Sequence, residues 1–260
     1  MQGNLRHTWR PSPPPVCRDD CSLCQGTGWE LVSEPGVSLA RPCSCRTLDR
    51  VIRMRDRVHI PQRYEHCTLD TYTPLNFSQI RALAETYKLL ARYPNPGRDV
   101  FLAGGPGVGK THLAVAALRE LMPRLAEDAL FVDFLDIVRP IGSAPPGATL
   151  GREDWDRLVQ CPILVLDNFG VAAPTRESVF QVTRLLGGRW RLRRPTIYTG
   201  ERVKRDLLIP GTTGASCSAT QAFLLALSPG FLLTFCARVK VLSLVGEDYR
   251  KRKSTVPELF

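Results

Sequence analysis

Two unbroken apolar runs, Val100-Phe101-Leu102 and Ile163-Leu164-Val165-Leu166, stop abruptly, the first at glycines and the second at Asp167. Runs of this kind read as strands buried on both faces. Residues 129–133 and Pro195-Thr196-Ile197-Tyr198-Thr199 look like two more, and residues 239–244 alternate like a half-buried strand. Helical spacing fills the intervals. Ile80, Leu83, Tyr87 and Leu90 define one helix, closed by Asn95-Pro96-Gly97, and Leu113, Ala117, Leu118 and Leu121 define the next. Thr175 is an acceptable N-cap for a third helix running past Phe180, Val182 and Leu185, which Gly187-Gly188 should weaken. Strands alternating with helices predict an α/β fold with a mostly parallel sheet flanked by helices and its ligand at the carboxyl ends of the strands. Ala144-Pro145-Pro146-Gly147 reads as an exposed loop, residues 201–237 show no clear period and receive no element, and no internal repeat is visible.

The junction between the first strand and its helix carries the most specific chemistry. Gly104-Gly105-Pro106-Gly107-Val108-Gly109-Lys110-Thr111 fits G-x-x-x-x-G-K-[ST], the phosphate-cradling P-loop. Glycines let the backbone turn so that its N–H groups and the helix N-terminus face phosphate oxygens. Lys110 is expected on the β- and γ-phosphates of ATP or GTP, and the Thr111 hydroxyl on Mg²⁺. Asp167, at the end of a buried strand, is the expected second Mg²⁺ anchor. Asn168 follows, where many such ATPases carry Glu or Asp to activate water; an amide can orient water but cannot take its proton.

With 260 residues, the chain has room for one α/β core and a small accessory module. Its formal net charge of +10 suggests a polyanionic partner. The longest apolar stretch, 222–237, contains Ser228-Pro229-Gly230 and falls short of the roughly 20 residues that span a bilayer. The polar, Pro-rich start has no signal-peptide pattern, so a cytoplasmic location with no membrane partner is expected, and there cysteines stay reduced or bind metal.

Five of the nine cysteines, Cys17, Cys21, Cys24, Cys43 and Cys45, fall in the first 45 residues. Cys21-x2-Cys24 and Cys43-x-Cys45 supply two thiolate pairs suited to tetrahedral Zn²⁺; Cys17 is a substitute ligand or spare, and free redox thiols are the other reading. So short a segment would depend on its metal to fold. The arginines at 50, 53, 55 and 57 follow as a charged helix or linker.

The order of these pieces resembles the AAA+ helicase loaders of the DnaC and DnaI type and the related transposition ATPase IstB. The likeness runs through the Cys-x2-Cys-x-Gly-Thr-Gly-Trp front, Ile60-Pro61-Gln62-Arg63-Tyr64, the P-loop with His112-Leu113, Pro195-Thr196-Ile197 and Gly246-Glu247-Asp248-Tyr249-Arg250. It implies an AAA+-like P-loop NTPase domain over 58–260 behind a zinc-binding partner module and basic linker over 1–57. It further implies ATP with Mg²⁺, Arg63 and Tyr64 near the adenine, Arg250 near the phosphates or a subunit boundary, a replicative helicase and single-stranded DNA as partners, and homo-oligomers on DNA. Three positions depart from the family pattern. Asn168 replaces the usual acid. Thr199-Gly200-Glu201 stands for Thr-Ser-Asn, leaving Thr199 to sense the γ-phosphate. Ser228-Pro229-Gly230 occupies the place of the Ser-Arg-Leu that supplies an arginine finger, worth about 10³–10⁵ in rate, so hydrolysis is expected to be weak unless Arg238 or another arginine substitutes.

Arg184, Arg189, Arg191, Arg193, Arg194, Arg202, Lys204 and Arg205 surround Trp190. Either they contact single-stranded DNA, with bases stacked on the indole, or they form a solvated helix face around a core Trp. Two readings besides the helicase loader stay open: an IstB-like transposition ATPase acting with a transposase on duplex DNA, and a non-hydrolysing interaction protein that binds zinc and nucleotide.

Overall fold

The structure is a computed structural model that describes residues 21–25, 27, 29–34, 37–43, 58–125, 129–138, 152–203 and 218–250. Cys17, Cys45, the basic linker, the 144–147 and 210–216 loops, Lys204, Arg205 and the end of the basic tail lie outside them. The chain separates into two compact units, Met1–Asp56 and Arg57–Phe260.

In the first unit, strands β1 (Trp29–Glu34) and β2 (Val37–Pro42) form an antiparallel hairpin. Its register, Trp29 opposite Pro42, returns the chain from Cys24 to Cys43.

The second unit is built on five parallel strands: β3 (Asp99–Gly104), β4 (Leu130–Asp133), β5 (Leu164–Phe169), β6 (Thr196–Gly200) and β7 (Val239–Leu244), in the order β4-β5-β6-β3-β7. All six residues of β3 are buried, as an unbroken apolar run in a parallel sheet requires. The helices are α1 (Phe77–Arg92), α2 (Lys110–Leu121), α3 (Phe134–Val138), α4 (Arg152–Gln160), α5 (Arg176–Arg191), α6 (Ala219–Leu225) and α7 (Pro229–Arg238). Phe101, Phe134, Phe169, Tyr198, Phe223 and Phe235 meet edge to face or stacked at the centre, with ring centroids 5.0 to 6.5 Å apart.

Three helical expectations are corrected. In α1 the buried face is Gln79, Ala82, Thr86, Leu89 and Leu90, whereas Ile80 and Tyr87 are exposed. Small and polar residues let this helix approach closely, and Gln79 spends its amide on the Val108 carbonyl (3.3 Å) and the Leu75 N–H (2.7 Å). Helix α5 starts at Thr175, which accepts from Ser178 N while Ser178 Oγ accepts from Thr175 N, a reciprocal cap. Rather than weakening at Gly187-Gly188, it continues to Arg191, and packing accounts for the second glycine, since a Cβ on Gly188 would lie 2.9 Å from Val159 on α4. Phe180 on the same helix is exposed, while Val182 and Leu185 enter the core. Within the unassigned 201–237 stretch, Ser218 and Ser228 each cap a helix and send Phe223, Leu232 and Phe235 inward. Ser228-Pro229-Gly230 is thus a helix start with proline in the first turn.

The opposite end of the sheet from the P-loop is held by a buried polar network. Asp99 accepts from Trp190 Nε1 (3.0 Å), Thr196 N (3.0 Å) and Tyr198 Oη (3.2 Å), and Arg189 donates to Thr196 Oγ1 and to the carbonyls of Leu158, Cys161 and Pro195. Burial pushes the Asp99 carboxyl up from its ordinary value, against the pull of these donors and of Arg189. Asp99→Ala would strand several buried donors, so a loss of about 3–5 kcal/mol in urea unfolding is expected.

Candidate nucleotide-binding site

The P-loop leaves β3 and enters α2 at the carboxyl ends of the strands. Gly107 and Gly109 have left-handed φ values of +68° and +93°. Neither could carry a side chain without displacing a neighbour: a Cβ on Gly107 would overlap Asp248, and one on Gly109 would lie 2.7 Å from the Tyr72 ring. The Gly246-to-Arg250 segment therefore closes over the loop, with Tyr249 N donating to the Gly107 carbonyl at 3.1 Å. Tyr249 Oη also donates to the Thr73 carbonyl. Arg250 binds both carboxylate oxygens of Asp248, at 2.9 and 2.7 Å.

Lys110 Nζ donates to the Gly105 carbonyl at 2.6 Å, an orientation along the loop. Burial lowers its pKa from the usual lysine range, and the charges of Asp167 and Glu201 oppose that shift. Asp167 is buried and its Oδ1 accepts from the hydroxyls of Thr111 (2.9 Å) and Thr199 (2.5 Å). Among the described residues nothing donates to its Oδ2. Burial raises the Asp167 pKa, and the two hydroxyls pull it back. A buried carboxylate oxygen without a donor, next to the P-loop threonine, is a site that suits a hard cation, so Thr111 and Asp167 fit Mg²⁺.

Thr199 also accepts from Asn168 N at 3.0 Å, at a register irregularity between β5 and β6. Gly200 has no room for a side chain, since a Cβ would lie 2.8 Å from the Phe101 ring, and Glu201 caps α6 by accepting from Ala219 N at 2.9 Å. Asn168 adopts φ +56° and donates through Nδ2 to Asp133 Oδ2 at 2.7 Å. Asp133 was not singled out from the sequence, although two predicted strands both ending in an Asp were the visible signal. Nor was Tyr72, which packs against Gly109 and belongs to no recognisable motif, and Asp248, which packs against Gly107, was named only within the Gly246-to-Arg250 ending without a role of its own.

Arg63 and Tyr64 lie in a short 3₁₀ turn, with the guanidinium 4.8 Å from the Tyr64 ring centroid and the ring 6.2 Å from Phe131 on β4. The Arg63 charge tends to lower the Asp167 pKa, against the larger effect of burial. The His112 side chain is taken up by the Thr68 carbonyl (2.9 Å) and Thr71 (3.2 Å). What it can offer a phosphate is its backbone N–H.

Trp190 is buried, stacked on Phe231 at 4.9 Å and bound to Asp99, so its ring is unavailable for stacking on a base; Arg189 is fully buried as well. The core reading of Trp190 replaces the DNA-stacking one. Arg184, Arg191, Arg193 and Arg202 remain exposed. Arg238 stands over the Trp190 ring at 5.8 Å, at the strand-start end of the sheet and away from its own P-loop.

In the first unit, ligand atoms of Cys21, Cys24 and Cys43 lie within 4.8 Å of one another, with Cys24 and Cys43 buried. The Cys21 and Cys43 sulfurs are 3.8 Å apart. That matches the edge of a tetrahedron whose Zn–S bonds are about 2.3 Å, so the donor set fits zinc. Cys45, the fourth expected ligand, lies outside the described residues.

Fold and site together define a P-loop NTPase of the AAA+ class. Residues 48–202 match the IstB-like ATP binding protein family. The chain belongs to that family. It is similar to the replicative helicase loader DnaC of Escherichia coli strain K12, 23% identical over 175 residues that cover 65% of this chain and 71% of the relative. The phage-like element PBSX protein XkdC of Bacillus subtilis strain 168 is 22% identical over 205 residues, 74% of this chain and 75% of the relative. Among solved structures, that of DnaI superposes with a TM-score of 0.56 at 20% identity, covering 73% of this chain and 94% of DnaI. Among the described residues, no helix is long and apolar enough to cross a membrane.

Proposed function

We propose that this protein is an ATP-dependent helicase loader: ATP with Mg²⁺ closes the Arg57–Phe260 unit on single-stranded DNA, the zinc-bearing front holds a replicative helicase, and hydrolysis releases it. The observation that carries the nucleotide half is that Thr111 of the P-loop and Thr199 both donate to one oxygen of the buried Asp167, whose other oxygen has no partner among the described residues. The loader half is supported by likeness to DnaC and DnaI over most of the chain. Lys110 and the loop N–H groups bind the phosphates, Thr111 and Asp167 hold Mg²⁺, Thr199 senses the γ-phosphate, and Arg63, Tyr64 and Arg250 border the nucleotide. Bound there, Mg²⁺ would supply positive charge to offset that of the phosphates.

For DNA, phosphate contact rather than base stacking is the mode that fits. Arg98, Arg193, Arg194 and Arg238 line an open cavity of about 300 Å³ at the strand-start end of the sheet. Such a surface predicts steep salt dependence and little sequence preference. Preference for duplex over single strands would instead favour work with a transposase.

Lys110→Ala is expected to weaken ATP binding by about 100-fold, the loss of one or two charge-assisted bonds of about 1.5–3 kcal/mol each. Titration of a fluorescent ATP analogue reads this directly. The loader assignment is tested in the full chain by Cys21→Ser/Cys24→Ser, which should abolish capture of the host's replicative helicase while sparing ATP binding. Retained capture would overturn it.

A further inference from the structure

Asn168 places an amide at the end of β5, where water activation calls for a carboxylate, and the nearest carboxylate in hydrogen-bond contact is on the neighbouring strand. Asp133 ends β4 directly opposite Asp167 in the register, and its Oδ2 accepts from Asn168 Nδ2 at 2.7 Å. We propose that Asp133 is the general base of this ATPase, acting on a water held by Asn168. The proposal rests on the reading of the site as one that hydrolyses ATP.

Four observations carry it. A carboxylate only accepts, so Asn168 must turn its nitrogen toward Asp133, which leaves Asn168 Oδ1 free to accept from water. A water donating one hydrogen to that oxygen and the other to Asp133 keeps a lone pair for attack. Second, Asp133 is itself oriented, because its Oδ1 accepts from Leu135 N at 2.9 Å. Third, Asp167 is committed elsewhere: its Oδ1 serves two hydroxyls and its Oδ2 is buried at the cation position, whereas Asp133 is only half-buried and can pass a proton to solvent. Fourth, the backbone at 168 favours the residue found there. Its φ of +56° lies in the left-handed region that Asn and Asp tolerate better than the longer Glu, so a Glu at 168 is disfavoured on backbone grounds.

The step balances without a further reactant. The water oxygen bonds to the γ-phosphorus as the bond from that phosphorus to the β–γ bridging oxygen breaks. The bonding pair leaves on ADP, and the water proton passes to the Asp133 carboxylate and then to solvent.

Asp133→Asn removes the carboxylate: its single oxygen can still accept from Leu135 N, and Asn168 turns its own oxygen to accept from the new amide. Turnover and nucleotide affinity are measured for wild type, Lys110→Ala, Asp133→Asn and the exchange Asp133→Asn/Asn168→Asp. Expected are a fall in kcat of about 100-fold or more for Asp133→Asn, unchanged affinity for the fluorescent ATP analogue and an unchanged melting temperature. The exchange, which moves the carboxylate to position 168 and the amide to 133, should recover most of the loss. Wild-type turnover in Asp133→Asn, a parallel loss of affinity, or no recovery in the exchange overturns the role of Asp133 and leaves the ATPase reading standing. Absence of Lys110-dependent turnover in the wild type overturns both.

Discussion

Asp167→Asn is expected to abolish the Mg²⁺-dependent part of ATP binding and, at the same time, to raise the melting temperature of the nucleotide-free protein. The two effects share a cause. Asp167 is almost fully buried, its Oδ1 already serves Thr111 and Thr199, and its Oδ2 has no donor among the described residues. That arrangement is costly for a carboxylate alone and favourable once a cation arrives. Loss of a charged ligand contact of about 1.5–3 kcal/mol corresponds to roughly a 10- to 150-fold loss of affinity in the presence of Mg²⁺, with little change in its absence. The sign of the stability effect follows from linkage. Burial raises the Asp167 pKa in the folded state above the ordinary 3.8, so the unfolded chain releases this proton more readily and folding loses stability as pH rises from about 4 through the raised value. Asn carries no such charge. The difference in melting temperature between variant and wild type should therefore be small at pH 4 and larger at pH 7, which scanning calorimetry without nucleotide would read. Lower stability of Asp167→Asn at pH 7 would mean that Oδ2 is not an uncompensated charge. A site whose charge is held ready for its ion at the expense of stability is common where binding requires it.

Lys110 and Thr111 were legible in the glycine-rich loop motif and Asp167 at the end of an apolar run, while Thr199 came from the family resemblance; strand ends in a parallel sheet gather on one edge. The five parallel strands follow from the same runs. What escaped was set by packing across the chain rather than by local pattern. Helix α1 buries Gln79, whose amide bonds the Val108 carbonyl of the P-loop, and Thr86, whose hydroxyl bonds the Ala82 carbonyl, whereas periodicity weighs only size and polarity. Gly187-Gly188 looks like a helix breaker until the Val159 side chain 2.9 Å from a Gly188 Cβ shows why bulk is excluded there. Trp190 among arginines read equally well as a base-stacking platform, and Asp99, 91 residues away, decides the matter by accepting its N–H. Asp133 and Asn168 are 35 residues apart, and neither is informative until β4 and β5 pair. Helices α6 and α7 are short, and their buried faces are mostly apolar within a segment that is apolar almost throughout, so no polar face marks the period.

Removing zinc should affect one unit and leave the other working. The three described cysteines of the front bring their sulfurs together at the base of a two-stranded hairpin, and their cluster contains no other buried residue among those described. A hairpin of this size is marginal in water without further support. Structural zinc supplies about 10–16 kcal/mol of apparent binding energy in small modules, and that energy is folding energy. Chelation is therefore expected to release close to one zinc per chain, to expose the thiols of Cys21, Cys24 and Cys43 to a thiol reagent, and to abolish helicase capture. The Arg57–Phe260 unit has its own aromatic core and its own sheet, so affinity for the ATP analogue should not change. Metal analysis of the purified full chain, thiol titration with and without chelator, and parallel ATP titration separate the outcomes. If all three thiols react at full rate before chelation, the cysteines hold no metal. If ATP affinity falls on chelation, the two units are coupled rather than independent.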